Sequence, residues 1–122
     1  MKHNPGFLAL VDAARARVTE CTVAEAKMRL DRGEVAHFLD VREDNEFAKG
    51  RAKGARHVGK GIIERDIESL IPDKLASIVL YCGGGYRSVL AADALQQMGY
   101  RNVISMDGGI KGWKDAGYPM ES

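Results

Sequence analysis

Little in these 122 residues can cross-link the chain: it has two cysteines, Cys21 and Cys82, far apart and each without a second thiol near it. That excludes a disulfide framework and the paired spacings of a zinc site, and it fits a reducing compartment. Net charge is nearly absent, with 18 Lys and Arg against 17 Asp and Glu. Composition therefore offers no footing to nucleic acid or to an anionic membrane, and any anion selectivity must be local. No apolar run approaches the ~20 residues of a membrane-spanning helix. The segment Phe7-Leu8-Ala9-Leu10-Val11 is too short for a signal-peptide core, has Asp12 behind it, and lacks a cleavage site. Repeats, linkers and low-complexity tracts are missing as well. The expectation is one cytoplasmic domain, able to hide about two thirds of its unfolded surface. No metal, cofactor, nucleic acid or membrane is expected as a partner.

What the chain does have is a concentrated stretch, Ile78-Val79-Leu80-Tyr81-Cys82-Gly83-Gly84-Gly85-Tyr86-Arg87-Ser88, running directly into Val89-Leu90-Ala91-Ala92-Asp93-Ala94-Leu95. An apolar strand, a sulfur nucleophile, three glycines, an arginine and a helix start follow one another. Glycines let consecutive backbone N–H groups turn inward, and a helix N-terminus adds partial positive charge, so a negative group at the centre is favoured. The thiolate is the reactive form of cysteine, and helix N-termini and nearby cations generate it. Cys82 is thus the candidate catalytic residue, with Gly83, Gly84, Gly85, Tyr86, Arg87 and Ser88 as its substrate-binding cradle. Arg87 has two readings, contact with the substrate or hydrogen bonding to the loop's own carbonyls. Tyr86 is expected to line the mouth. Cys21, beside a helix cap with no glycine or basic neighbour, reads as an inert buried thiol.

Around that stretch the pattern alternates. Residues 7–18 place Phe7, Leu8, Leu10, Val11, Ala14 and Val18 on one helical face, giving an amphipathic helix over 1–18 that packs on a domain spanning 19–122. Thr22-Val23-Ala24-Glu25 has capping-box spacing and opens a helix over about 23–32 that Gly33 can end. Val35–Val41 reads as a strand buried on both faces, with Asp40 and Arg42 at its C-terminal end, where α/β sheets place working residues. These two have two readings, catalytic groups or structural support of the site as a partly buried polar pair fixing the loops, and we adopt the second. A short helix follows over 43–49, then a strand over 54–58 and a helix carrying Ile62, Ile63, Ile67 and Leu70 up to Pro72. Beyond the central stretch, a helix over 88–98 ends at Gly99, residues 102–105 form a strand, and Gly108-Gly109 open a turn carrying Trp113, which they pack. His37 and His57 read as packing residues. Strands alternating with helices predict an α/β fold, a three-layer α/β/α arrangement about a mostly parallel sheet.

The chain resembles the rhodanese (sulfurtransferase) family, small single-domain type, on several separate motifs. Leu39-Asp40-Val41-Arg42-Glu43 with Glu46-Phe47 is similar to the family's first motif, and Gly54-Ala55-Arg56-His57-Val58 to its middle segment. Gly99-Tyr100-Arg101-Asn102-Val103 and Gly108-Gly109-Ile110-Lys111-Gly112-Trp113 resemble its C-terminal motif. The resemblance implies a rhodanese-like fold and a sulfurtransferase that moves sulfur from a donor such as thiosulfate to cyanide or a thiol through a Cys82 persulfide. Its cradle has Gly83-Gly84-Gly85-Tyr86 where well-known thiosulfate enzymes of the family carry basic residues, which leaves a persulfide or a protein as the alternative donor.

Two other classes compete. A cysteine phosphatase or arsenate reductase uses the same cradle physics but places five residues between Cys and Arg, whereas Gly83–Tyr86 supplies four, a ring sized for one sulfur atom. A sulfur carrier or interaction module would pass the persulfide to a protein partner, a protein sulfur acceptor, and differs from an enzyme by its lack of turnover with small thiols.

Overall fold

The computed structural model describes residues 3–122. In chain order the elements are α1 (Pro5–Arg15), β1 (Thr19–Cys21), α2 (Val23–Asp31), β2 (His37–Asp40), α3 (Asp44–Ala48), β3 (Arg51–Ala52), β4 (Arg56–His57), α4 (Lys60–Leu70), β5 (Ile78–Tyr81), α5 (Arg87–Gln97), β6 (Val103–Met106), α6 (Gly109–Asp115) and β7 (Met120–Glu121). Five strands form one sheet in the order β1-β6-β5-β2-β4, every pairing parallel. Helices cover both faces, as the alternating pattern requires.

The two faces follow from the period of two along a strand. From β5 onward, Ile78, Leu80 and Cys82 point to one side, where they pack with Ile63 and Ile67 of α4 and Ala91, Ala92 and Leu95 of α5. Val79 and Tyr81 point to the other, among Ala26 of α2 and Ile110 and Trp113 of α6. All four residues of β5 are buried, and each such apolar side chain contributes about 1.5–3 kcal/mol on leaving water. Cys82 is therefore carried to its place by a strand clamped from both faces.

The connections decide where the site lies. From β2 the chain runs on through α3 and β3 to β4 at one edge of the sheet; from β5 it runs through α5 to β6, toward the other edge. The loops leaving β2 and β5 diverge, and the crevice at such a switch point is where open α/β sheets bind ligands.

Local chemistry sets several boundaries. Thr22 Oγ1 accepts from the Glu25 N–H at 3.0 Å while Glu25 accepts from the Thr22 N–H at 2.9 Å, the expected capping box. Gly33 follows at φ 70°, the left-handed turn that ends this helix. The structure also departs from the sequence reading. Helix α1 starts at Pro5 and stops at Arg15, and the strand expected over 54–58 is the pair Arg56–His57. Strand β1 was not foreseen: Thr19-Glu20-Cys21 is short and polar, and only pairing with Ile104, Ser105 and Met106 of β6 makes it a strand. The small antiparallel sheet of β3 and β7 likewise exists only through a long-range pairing. No helix of the described residues is long and apolar enough to cross a membrane.

Candidate active site

Cys82 follows β5 directly and its side chain is almost wholly enclosed, 1% exposed. The loop after it turns back on the sulfur: the Gly85 N–H donates to Sγ at 3.2 Å, and the Ser88 hydroxyl lies 3.5 Å away. Ser88 is fully buried in the first turn of α5 and is hydrogen-bonded at 2.8 Å to the Ser105 hydroxyl of β6. The sulfur thus sits at the N-terminal end of an eleven-residue helix, with a backbone amide directed at it. Such an arrangement favours negative charge on the sulfur or on an atom attached to it.

The geometry of the loop is imposed by its neighbour α6. The Ile110 N–H donates to the Cys82 carbonyl at 2.9 Å and the Lys111 N–H to the Gly83 carbonyl at 3.2 Å. In a trans peptide the C=O and the following N–H point in opposite directions. Drawing the carbonyls of Cys82 and Gly83 into α6 therefore turns the N–H groups of Gly83 and Gly84 the other way. Two glycines make this packing possible. A Cβ on Gly109, whose φ is +56°, would stand 2.4 Å from the Cys82 carbonyl oxygen; one on Gly85, at φ +108°, would stand 3.0 Å from Asp107 Oδ1 and 3.2 Å from the Gly108 nitrogen. Backbone atoms bar a side chain at Gly109, and at Gly85 one would be strained and tightly crowded.

Arg87 is engaged by a side chain that neither of its two sequence readings named. Its guanidinium forms a two-pronged pair with Glu46 of α3, Nη1 to Oε1 at 2.7 Å and Nη2 to Oε2 at 3.1 Å. The Arg87 hydrogen bond holds the Glu46 carboxyl down to about 2, and the same bond raises Arg87. Glu46 is the residue that sequence reasoning missed: it stands 41 positions from its partner, and its place in the first motif was the available signal.

Asp40 and Arg42 stand beside the site as a buried pair, with Arg42 Nε and Nη2 bonded to both Asp40 oxygens at 2.8–3.1 Å and Nη2 also to the Gly50 carbonyl at 2.7 Å. They tie the end of β2 to the turn before β3. The Tyr81 phenol, with the Ala52 N–H donating to it at 3.1 Å, is raised by burial and by the neighbouring Asp40. His57 stacks on Phe47 at 4.6 Å, and its Nε2 lies 2.7 Å from the Arg42 carbonyl, which agrees with a packing role.

Three other sequence readings resolve in the structure. Tyr86 packs against the N-terminal segment, its ring centroid 4.3 Å from that of His3 and 6.3 Å from that of Phe7, with the Arg15 guanidinium 5.5 Å from its ring. Val11 and Ala14 of α1 are buried against Val89 next to it. Trp113 is buried against Phe38 and Tyr118 and donates to the Pro119 carbonyl at 2.7 Å. Gly108 and Gly109, expected to pack it, instead approach Val23 and the Cys82 loop. Cys21 is buried at the end of β1, and burial pushes its thiol up to about 11.

Comparison with known proteins agrees with this architecture. The family model of the rhodanese-like domain matches residues 22–116. The putative sulfurtransferase YtwF of Bacillus subtilis is 32% identical over 97 residues, covering 80% of this chain and 91% of that protein. The thiosulfate sulfurtransferase GlpE of Actinobacillus succinogenes is 37% identical over 89 residues, covering 73% of this chain and 78% of that protein. Among solved structures, a Rhodopseudomonas palustris protein of unknown function, described as a possible tyrosine phosphatase, superposes with a TM-score of 0.88 at 29% identity, covering 99% of this chain and 98% of that one. With so little of the chain left out, that superposition takes in α1.

Proposed function

This chain belongs to the rhodanese-like sulfurtransferase family, and from that premise we propose that Cys82 takes a sulfane sulfur from a donor and passes it to a thiophilic acceptor through a persulfide. The observation that carries the reading is the Gly85 N–H donating at 3.2 Å to a sulfur enclosed at the start of α5. In the first displacement the Cys82 thiolate attacks the outer sulfur of thiosulfate. The new S–S bond forms as the old one breaks, and its electron pair leaves with sulfite, so the enzyme is left with an anionic persulfide. In the second, cyanide or a thiolate attacks the outer sulfur and the Cys82 thiolate departs. The Gly85 amide directed at Sγ stabilises charge on the sulfur, and it is in place before reaction.

The phosphatase reading has the R. palustris likeness in its favour. Two features weigh against it. Four residues separate Cys82 from Arg87, and the Arg87 guanidinium, which would have to clasp a phosphoryl group, is already engaged by both oxygens of Glu46.

The test is intact-protein mass spectrometry after thiosulfate treatment, run beside a phosphatase assay. We expect a gain of one sulfur atom on Cys82, its loss in Cys82→Ser, and its retention in Cys21→Ser. Cys82-dependent phosphate release with no sulfur gain would overturn the proposal.

A further inference from the structure

Charge at the mouth of the cradle is balanced against anions. The Arg87 guanidinium reaches over the loop, its Nη2 within 3.0 Å of the position a Gly83 Cβ would take, and Glu46 Oε2 lies 3.1 Å from that same nitrogen. Glu46 is held from a second side, because its Oε1 also accepts from the Glu43 N–H at 3.0 Å in the capping box of α3. The carboxylate stays ionised at any working pH, since its proton leaves only near about 2. On the other flank of the loop, Asp107 Oδ1 lies 3.0 Å from the place of a Gly85 Cβ, and Asp107 is exposed. The nearest lysine along α6, Lys111, is turned to Asp115 at 3.1 Å. Two carboxylates thus bracket the sulfur loop, and the guanidinium above it is neutralised.

We infer that Glu46 is a specificity-determining residue that selects the sulfur donor by charge, favouring thiosulfonates and persulfides with at most one negative charge over the thiosulfate dianion. The inference rests on the sulfurtransferase reading and narrows its donor class. Attack on the outer sulfur leaves the oxygen-bearing end of thiosulfate pointing to the mouth, where its second negative charge meets Glu46. A thiosulfonate carries a carbon substituent there in place of one oxyanion. Its step balances: the Cys82 thiolate bonds to the terminal sulfur, the bond from that sulfur to the sulfonyl group breaks, and a sulfinate leaves with the electron pair. With a persulfide the same attack releases a thiolate and leaves Cys82 bearing the outer sulfur and its proton.

The experiment compares thiosulfate with methanethiosulfonate, which differ at the mouth by one oxyanion against one methyl group, and measures kcat/KM for persulfide formation on Cys82. Wild-type protein should prefer methanethiosulfonate at low ionic strength, and added salt should narrow the ratio. Glu46→Gln should shift the ratio toward thiosulfate by about tenfold, the size expected for one unit charge acting across several ångströms of partly solvated mouth. Glu46→Asp, which keeps the charge, should keep the wild-type preference. A ratio that moves less than about twofold in folded Glu46→Gln overturns the inference, because a purely structural role would change both donors alike. Should that variant fail to fold, a wild-type ratio insensitive to salt overturns it equally. Transfer from neither donor to wild-type protein would instead overturn the sulfurtransferase reading, and this inference with it.

Discussion

Replacing Gly109 with alanine tests whether α6 shapes the sulfur loop. The new Cβ would stand 2.4 Å from the Cys82 oxygen, 2.6 Å from the Gly83 oxygen and 2.7 Å from the Gly83 carbonyl carbon. All three are backbone atoms, so no side chain can rotate away, and either the loop or the start of α6 must move. Moving them breaks the Ile110 and Lys111 hydrogen bonds to Cys82 and Gly83. Holding alanine at φ +56° costs about 1–2 kcal/mol, and losing two hydrogen bonds costs about 1 kcal/mol each. The expected destabilisation is about 3–4 kcal/mol, accompanied by loss of transfer activity as the N–H groups of Gly83 and Gly84 lose their orientation. The control is Gly117→Ala, at φ +77° with nothing within 4 Å of the added carbon, which should cost only the backbone term of about 1–2 kcal/mol and leave transfer untouched. Urea unfolding and sulfur-transfer rates, measured on both variants, decide the matter. Gly109→Ala with Gly117-like stability and wild-type activity would refute the reasoning.

Other perturbations follow from the same geometry. Asp40→Asn leaves Arg42 buried without a counter-charge and should cost about 3–5 kcal/mol in urea unfolding; a loss below about 1 kcal/mol would mean that the Gly50 carbonyl alone holds Arg42. The Glu46 carboxyl is depressed to about 2 in the folded protein. Its stabilisation is therefore fully present above the unfolded carboxylate range and is lost as pH falls through that range toward about 2. After screening at a site about a third exposed, the stability gap between wild type and Glu46→Gln should be about 1 kcal/mol at pH 7 and should shrink below about pH 5. A gap that does not change with pH would contradict the Arg87–Glu46 assignment.

The rhodanese-like family was legible because its motifs are local. Cys82 to Ser88 are consecutive, and the steric freedom of three glycines next to a strand end and a helix start can be read without knowing the rest of the fold. The capping box at Thr22 was legible for the same reason, since its partners lie three residues apart. Strand β1 was not, because Thr19-Glu20-Cys21 has no strand pattern until β6 is alongside. Asp40 and Arg42 were recognised as a pair from their position after an apolar strand, and the two-residue spacing makes that pair geometrically local.

What this sequence determined by itself is the chemistry available: one thiol at a strand end, amides freed by glycine, a helix behind them, and near-zero net charge. What the tertiary structure decided is how that chemistry is aimed and what charge it tolerates. Glu46 meets Arg87 across 41 positions, Gly109 meets the Cys82 carbonyl from a separate helix, and Tyr86 meets His3 and Phe7 of the N-terminal segment. Each of these contacts depends on the order in which parallel strands lie in the sheet. That order is a property of the packed chain as a whole, set by burial on both faces, and no short stretch of residues encodes it.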